Sequence, residues 1–180
     1  MGRTKSAVSH RDTPVSKKRF KFRVVAVGGT FDLVHRGHRK LLETAFEIGE
    51  TVMIGVTSDQ FVKRLHKPHK VDSYEVRENE LKKLLKRRNW LSRSTIVKLE
   101  DVYGPTINEK EIDALVVSQR TKPTAELINR LRCRRGLKPL HIVPITLVPA
   151  QDYRPISTTR IRRGRINREG HILFTPTAQC

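Results

Sequence analysis

The sequence has no long hydrophobic run, few cysteines and few acidic residues, and each shortage narrows what the protein can be. No stretch approaches the roughly 18 consecutive apolar residues that indicate a membrane-spanning helix. No apolar stretch follows the basic N-terminal residues, as one would in a secretory signal. The two cysteines, Cys133 and Cys180, lie far from other metal ligands in sequence, so free thiols are expected rather than a zinc site. We therefore expect a soluble, cytoplasmic protein with no membrane partner.

The shortage of acids leaves the chain strongly positive. It has 37 Lys and Arg residues against 18 Asp and Glu residues, a formal net charge of +19. Such a charge attracts phosphate-bearing partners without specifying which, so nucleotides, nucleic acid and anionic lipid all stay open on charge alone. The N-terminal residues 1–22 are basic and have little that is apolar to bury, which is typical of a disordered arm.

The rest of the chain has the length of one domain, which we assign to residues 23–172, followed by a tail at 173–180. Short apolar runs rich in β-branched residues alternate with stretches of helical period, and this alternation is typical of an α/β fold. Strands are predicted at 24–27, 52–56, 94–99, 113–117 and 140–148. Pro144 lacks a backbone donor and indicates an edge position for the last of them. The prediction is a Rossmann-like parallel sheet in a single domain, with helices on both faces.

Helices are predicted between these strands. One has an inner face at Leu41, Leu42 and Ala45, a second covers 74–89, and a third runs from Pro123 to a cap at Gly136. A short helix follows Ser157 and ends near Gly164. Ligands bind beyond the carboxyl ends of the strands in such a sheet. The loops that begin at Gly28, Thr57, Ser118 and Ala150 should therefore converge on one crevice.

The loop after the first strand reads Gly-Gly-Thr-Phe-Asp-Leu-Val-His-Arg-Gly-His from Gly28 to His38. Its glycines allow the backbone to pass close to a ligand, and its two histidines stand at the start of a helix. Free N–H groups and the positive dipole end at a helix N-terminus bind anions. The segment therefore predicts a phosphate site.

The spacing of residues in this loop argues against other common ligand-binding motifs. The segment lacks the glycine pattern of the dinucleotide fingerprint and the lysine of the P-loop. Zinc is also disfavoured, because His35, His38 and Asp32 would complete only a three-residue set without cysteine. Asp32 is as suited to bracing the loop by hydrogen bonds as to touching a substrate.

A second segment, Ile156 to Arg162, reads Ile-Ser-Thr-Thr-Arg-Ile-Arg. Ser157 suits a helix N-cap, and the hydroxyl and guanidinium groups that follow can hold a polyphosphate. Together the two segments resemble the Gly-Gly-Thr-Phe-Asp, His-x-Gly-His and Ile-Ser-Ser-Thr-x-Ile-Arg signatures of the nucleotidyltransferase α/β-phosphodiesterase superfamily. Within it, residues 22–170 look most like the archaeal phosphopantetheine adenylyltransferases and the related domain of eukaryotic coenzyme A synthase. Four further stretches carry this likeness, beginning at Gly55, Tyr74, Leu115 and Arg135.

The resemblance implies transfer of AMP from ATP to 4′-phosphopantetheine, which gives dephospho-coenzyme A and pyrophosphate without a covalent enzyme intermediate. It implies catalytic roles for His38, Thr30 and Arg160. The implied ATP-binding residues are Gly28, Gly29, Phe31, His35, His38, Arg120, Ser157, Thr158 and Arg160. Thr30 with Lys67 or Lys70 would bind the acceptor, with Lys63 a third lysine in the same region. Mg²⁺ is expected to arrive with ATP and to be held by substrate and water rather than by a protein metal site.

Two alternatives stay open on sequence alone. One is another nucleotidyltransferase of the superfamily, with nicotinamide mononucleotide, FMN or a phosphoalcohol as acceptor. The other is a nucleic-acid-binding protein that keeps the fold without catalysis, which the intact signature residues disfavour. The sequence does not specify the oligomeric state or any feedback by coenzyme A.

Overall fold

The fold is an open parallel sheet with helices packed on it, seen in a computed structural model that describes residues 20–173. The strands are β1 (Phe22–Gly29), β2 (Gly49–Thr57), β3 (Ser94–Leu99), β4 (Ala114–Ser118) and β5 (His141–Ile145). The helices are α1 (Arg36–Ile48), α2 (Asp59–Arg64), α3 (Tyr74–Arg87), α4 (Lys122–Arg134) and α5 (Thr158–Arg162). Short 3-10 turns occupy Leu91–Arg93 and Gly104–Ile107. The expected arm at 1–22 and tail at 173–180 lie almost wholly outside the described residues.

All strand pairs are parallel, and the strand order is β3-β2-β1-β4-β5. Val25 in the central strand β1 stands opposite Val52 of β2 on one side and Ala114 of β4 on the other. From β1 the chain adds β2 and β3 on one side of the sheet and then β4 and β5 on the other side. The direction in which strands are added therefore reverses between β1 and β4. In open α/β sheets a ligand crevice forms at the carboxyl ends of the strands beside such a reversal.

Helices cover both faces of the sheet, because alternate residues of each buried strand point to opposite sides. On one face Val25 and Val27 pack with α1 and α3 through residues such as Leu42 and Leu81. On the other face Ala26 packs in a second cluster with α4. The predicted fold class, a Rossmann-like parallel sheet with helices on both faces, is confirmed.

The chain passes from α1 into β2 without a loop at Gly49, which ends the helix and starts the strand. A Cβ at Gly49 would lie 2.6 Å from Cγ2 of Val25, so only glycine permits this close approach. The C-terminal cap of α4 is also as predicted, since Gly136 has a φ of +70°.

The last strand is shorter than predicted. β5 ends at Ile145 rather than at Val148, although it is an edge strand and contains Pro144 as expected. Beyond it the chain turns over the sheet edge and pairs with itself, with Ile156 donating its N–H to the carbonyl of Val148. This return brings the second signature segment back to the carboxyl ends of the strands.

Candidate active site

A cavity of about 500 Å³ opens at the carboxyl ends of the strands and collects residues from both signature segments. Thr57 and Ser118, at the ends of β2 and β4, also line it, whereas the segment after Ala150 reaches it at Ile156. The convergence predicted for these loops is therefore observed. The predicted site residues on its wall are Gly28, Gly29, Thr30, His35, His38, Lys67, Arg120, Ser157 and Thr158.

The loop between β1 and α1 is held in a strained conformation. Phe31 and Leu33 have φ angles of +52° and +47°, which residues other than glycine rarely adopt. The side chain of Phe31 is fully buried, and its ring lies 5.2 Å from that of His38. Phe31, predicted to belong to the nucleotide-binding turn, thus supports His38 from within the core. Such strain persists at sites where the surrounding contacts fix the geometry.

His35 and His38 form a reciprocal cap at the start of α1. Nδ1 of His35 accepts from the backbone N–H groups of Gly37 at 3.1 Å and His38 at 3.4 Å. Nδ1 of His38 in turn accepts from the N–H of His35 at 3.4 Å, and the two rings stack with centroids 3.8 Å apart. A neutral imidazole whose Nδ1 accepts must carry its proton on Nε2. Both rings therefore have an Nε2–H available for donation.

Burial keeps this histidine pair neutral. It lowers the pKa of His35 to about 4, with nearby Arg39 acting in the same direction. It also lowers the pKa of His38 well below the usual range, assisted by His35 and Lys67. Near neutral pH the two rings are consequently hydrogen-bond donors rather than cations. They can bind phosphate oxygens without a proton being taken up first.

Asp32 links the two signature segments to each other. Its side chain is buried, with Oδ1 accepting from Nη2 of Arg162 at 2.7 Å and Oδ2 accepting from Nε of Arg162 at 3.3 Å. Its backbone carbonyl accepts from the hydroxyl of Thr158 at 2.9 Å. The hydrogen bonds that Arg162 donates to Asp32 and Asp72 raise its pKa, which keeps this guanidinium charged. Of the two roles considered for Asp32, its contacts in the structure are those of a brace.

The second segment begins α5, with Ser157 as its N-cap. Oγ of Ser157 accepts from the N–H of Arg160 at 3.4 Å, as predicted. Arg160 is not among the residues that line the cavity, and its guanidinium donates from Nη2 to Asp152 at 2.5 Å and from Nη1 to the carbonyls of Arg154 and Pro155. The predicted catalytic and ATP-binding residue Arg160 is therefore engaged by protein groups in this structure.

The remaining predicted residues come from two loops. Arg120 lies at the cavity just after β4, and Lys67 lies there on the loop between α2 and α3. Lys70 is on the same loop and exposed, but it is not among the residues lining the cavity. His69, between the two lysines, lines the cavity and lies 3.3 Å from the hydroxyl of Thr159.

Sequence reasoning gave no role to Arg162, Asp72 or Arg77, although the structure connects all three to the site. Arg162 bridges Asp32 and Asp72, and Arg77 is 1% exposed beneath the ends of β1 and β2. A signal for Arg77 existed in the sequence. It shares the buried stripe of α3 with Leu81 and Leu84, at the i, i+4, i+7 spacing of an inner helix face.

Comparison with known proteins places the chain in a class. A family model described as cytidylyltransferase-like matches residues 26–164. The chain therefore belongs to the cytidylyltransferase-like family and is a nucleotidyltransferase.

Sequence relatives narrow the class further. A phosphopantetheine adenylyltransferase from Methanothermobacter thermautotrophicus is 46% identical over 153 residues, covering 85% of this chain and 91% of the relative. Another from Methanosarcina barkeri is 47% identical over 161 residues, covering 82% of this chain and 91% of the relative. Within the cytidylyltransferase-like family, the chain is a member of the archaeal phosphopantetheine adenylyltransferases. The resemblance inferred from the two signature segments is confirmed.

Solved structures agree on the fold. A protein of unknown function from Archaeoglobus fulgidus is 34% identical with a TM-score of 0.61, covering 67% of this chain and 87% of that one. Pantoate-beta-alanine ligase from Francisella tularensis has a TM-score of 0.51 at 13% identity, covering 76% of this chain and 63% of that one. At so low an identity the ligase supports the fold alone.

Among residues 20–173, no helix is long and apolar enough to cross a membrane. The same residues contain no group of three or more His, Cys, Asp or Glu side chains placed to hold a metal ion.

Proposed function

We propose that the protein transfers AMP from ATP to 4′-phosphopantetheine, giving dephospho-coenzyme A and pyrophosphate. The observation that carries this proposal is the 46% identity to a phosphopantetheine adenylyltransferase along 85% of the chain. The cavity where the two phosphate motifs meet supports the same reaction. A phosphate oxygen of the acceptor bonds to the α-phosphorus of ATP, and the bond from that phosphorus to the oxygen bridging to the β-phosphorus breaks. Pyrophosphate leaves with that bridging oxygen.

The nucleophile in this reaction is already a phosphate, so the protein needs little base chemistry. Positioning and stabilisation of charge around the α-phosphorus can supply most of the acceleration. We assign the stabilising role to His38, supported by a neutral ring whose Nε2–H is free of the helix cap. His35 shapes the nucleotide site beside it. Gly28 and Gly29 line the passage of the nucleotide past the end of β1.

Ser157, Thr158 and Arg160 are our candidates for the β- and γ-phosphate side. Ser157 and Thr158 lie on the cavity wall. Arg160 would have to exchange Asp152 for phosphate oxygens when ATP binds, since its guanidinium donates to that carboxylate. Arg120 extends the positive charge of the cavity on the side of β4.

For the acceptor we propose Thr30 and Lys67. Thr30 follows the last residue of β1 and lines the same cavity as His38, so it can orient the attacking phosphate. The location of Lys67 on the cavity wall favours it over Lys70 as the ligand for that phosphate.

Mg²⁺ fits this site as part of the ATP complex. Asp32 is buried, and its carboxylate already accepts hydrogen bonds from Arg162 and from the N–H of Asp72. It is therefore poorly placed to ligate a cation. The ion would be held by phosphate oxygens and water, a mode that Mg²⁺ commonly adopts with nucleotides. Bound there, it would neutralise charge on the leaving pyrophosphate.

An acceptor panel tests the proposal. Purified protein with MgATP is offered 4′-phosphopantetheine, nicotinamide mononucleotide, FMN or a phosphoalcohol, and pyrophosphate release is followed. We expect release with 4′-phosphopantetheine at a kcat/KM at least about 100-fold above the others, because missing contacts to a bound substrate cost several kcal/mol. Equal or greater activity with another acceptor contradicts the assignment. Replacing ATP by CTP in the same panel tests the nucleotide.

A further inference from the structure

Arg77 is a buried arginine whose contacts reach three loops of the active site. It lies in the first turn of α3 and is 1% exposed. Its guanidinium is not among the groups that line the cavity. It therefore sits behind the site rather than in it.

The groups that accept hydrogen bonds from Arg77 lie on separate segments. Nη1 donates to the carbonyl of Thr30 at 2.8 Å and to the hydroxyl of Thr57 at 3.3 Å, at the ends of β1 and β2. Nε donates to the carbonyl of Asp72 at 2.8 Å. Nη2 donates to Oδ1 of Asp59 at 3.0 Å, on the first turn of α2. One rigid, planar group thus fixes the spacing between these segments.

The segments of Thr30 and Asp72 lead to residues of the proposed site, and Thr57 itself lines the cavity. Thr30 precedes the strained turn that orients His38. Asp72 closes the loop that carries Lys67, and its carboxylate binds Arg162 at 2.7 Å. Since Arg162 also binds Asp32, the contacts of Arg77 extend to the second signature segment.

We propose that Arg77 is a positioning residue for the transfer reaction. It sets the distance between the loop that carries Lys67 and the loop that carries Thr30 and His38. This inference rests on the proposed function. Misplacement of a reacting group by about 1 Å can cost roughly 100-fold in rate. A planar guanidinium with five donors holds such a geometry, whereas the single ammonium of lysine does not.

Arg132 provides a matched control. It is also 1% exposed, and it donates to the carbonyls of Thr106, Glu109 and Lys138. It belongs to α4, on the opposite face of the sheet from α3. A purely structural role predicts similar consequences for replacement of either arginine.

The experiment compares Arg77→Lys with Arg132→Lys in the full chain, measuring kcat and both KM values well below each melting temperature. We expect both variants to melt at lower temperature. For Arg77→Lys, kcat should fall roughly 100-fold with KM for ATP changed by less than about threefold, whereas Arg132→Lys should keep kcat within about threefold. A wild-type kcat for Arg77→Lys, or equal losses in the two variants, would overturn the proposal.

Asp59→Ala covers the case in which Arg77→Lys does not fold. Asp59 is half exposed and lies outside the cavity lining, so its loss loosens Arg77 without opening the core. We expect a fall in kcat of about 3- to 10-fold, and an unchanged kcat would overturn the proposal. Failure of the wild-type protein to release pyrophosphate would instead contradict the proposed function, so the two failures are distinguishable.

Discussion

Arg162 donates hydrogen bonds from two nitrogens to the buried carboxylate of Asp32, and these bonds connect the second signature segment to the first. Arg162 also binds Asp72, so one side chain joins both signature segments to the loop that carries Lys67. The two signature segments are therefore physically linked to each other.

Replacing Arg162 by lysine should weaken that link. Lysine cannot contact both carboxylate oxygens as the two arginine nitrogens do, so the buried negative charge of Asp32 would be only partly compensated. Because Arg162 is about one quarter exposed, we expect a loss of about 1–3 kcal/mol in the free energy of unfolding, less than for a fully buried pair. The kcat/KM for ATP should fall by roughly 10- to 100-fold.

Thermal melting and steady-state kinetics check this prediction, with Arg163→Lys as the control. Arg163 is the exposed neighbour of Arg162, and its replacement should leave both measurements near wild type. Equal effects at the two positions would contradict a specific role for the contact with Asp32.

His35 should make the protein less stable in acid. Its pKa is about 4 in the folded chain, against about 6.5 in an unfolded one. The unfolded state therefore binds more protons between these values, and the free energy of unfolding should fall as the pH drops from about 6.5 towards 4. The expected loss is on the order of 2–3 kcal/mol, with His38 acting in the same direction.

Urea unfolding at pH 7.5 and pH 4.5 measures this loss in wild type and in His35→Asn. Asparagine is a good N-cap that does not titrate, so the variant should fold and lose less stability on acidification. The same replacement at the exposed His141 serves as the control. An unchanged pH dependence in His35→Asn would argue against burial of a neutral histidine at this cap.

His38 should affect the chemical step more than ATP binding. Removing one preorganised donor to a transition-state oxygen typically costs about 100- to 1,000-fold in kcat. We expect a loss of this size for His38→Ala, with a dissociation constant for ATP that changes much less. Single-turnover kinetics and equilibrium binding separate the two quantities. A variant that binds ATP poorly but turns over at the wild-type rate would contradict the assignment.

Lys67 and Lys70 offer a direct comparison within one loop. Only Lys67 lies on the cavity wall, so Lys67→Ala should raise KM for 4′-phosphopantetheine by about 10-fold, the value of one charged contact. Lys70→Ala should leave this KM within about twofold of wild type. The reverse ranking in an acceptor titration would show that the loop rearranges when substrate binds.

The sheet and most helices could be predicted from sequence because their signals are local. The alternation of apolar strands and amphipathic helices, the cap at Ser157 and the stop at Gly136 each depend on neighbouring residues alone. The end of β5 could not be predicted in this way. The chain after Ile145 is apolar enough for a strand, but pairing between Val148 and Ile156 draws it away from the sheet.

The motifs of the candidate site could be predicted from sequence, but the buried side chains that hold them in place could not. Glycine and histidine spacing identified the first loop, but the burial of Arg77 and its reach to Thr30 depend on packing between elements far apart in sequence. The same limit applies to Arg160. Its pairing with Asp152 arises from the return of the chain after β5, which no local pattern specifies.

In the proposed reaction, one cavity brings an acceptor phosphate to the α-phosphorus of ATP. Incubation of the protein with MgATP and 4′-phosphopantetheine, followed by quantification of all phosphorus-containing products, tests this reaction. We expect dephospho-coenzyme A and pyrophosphate in equal amounts, with no ADP. Formation of ADP or free phosphate in place of pyrophosphate, or no adenylylated product under conditions where ATP binds, would contradict it.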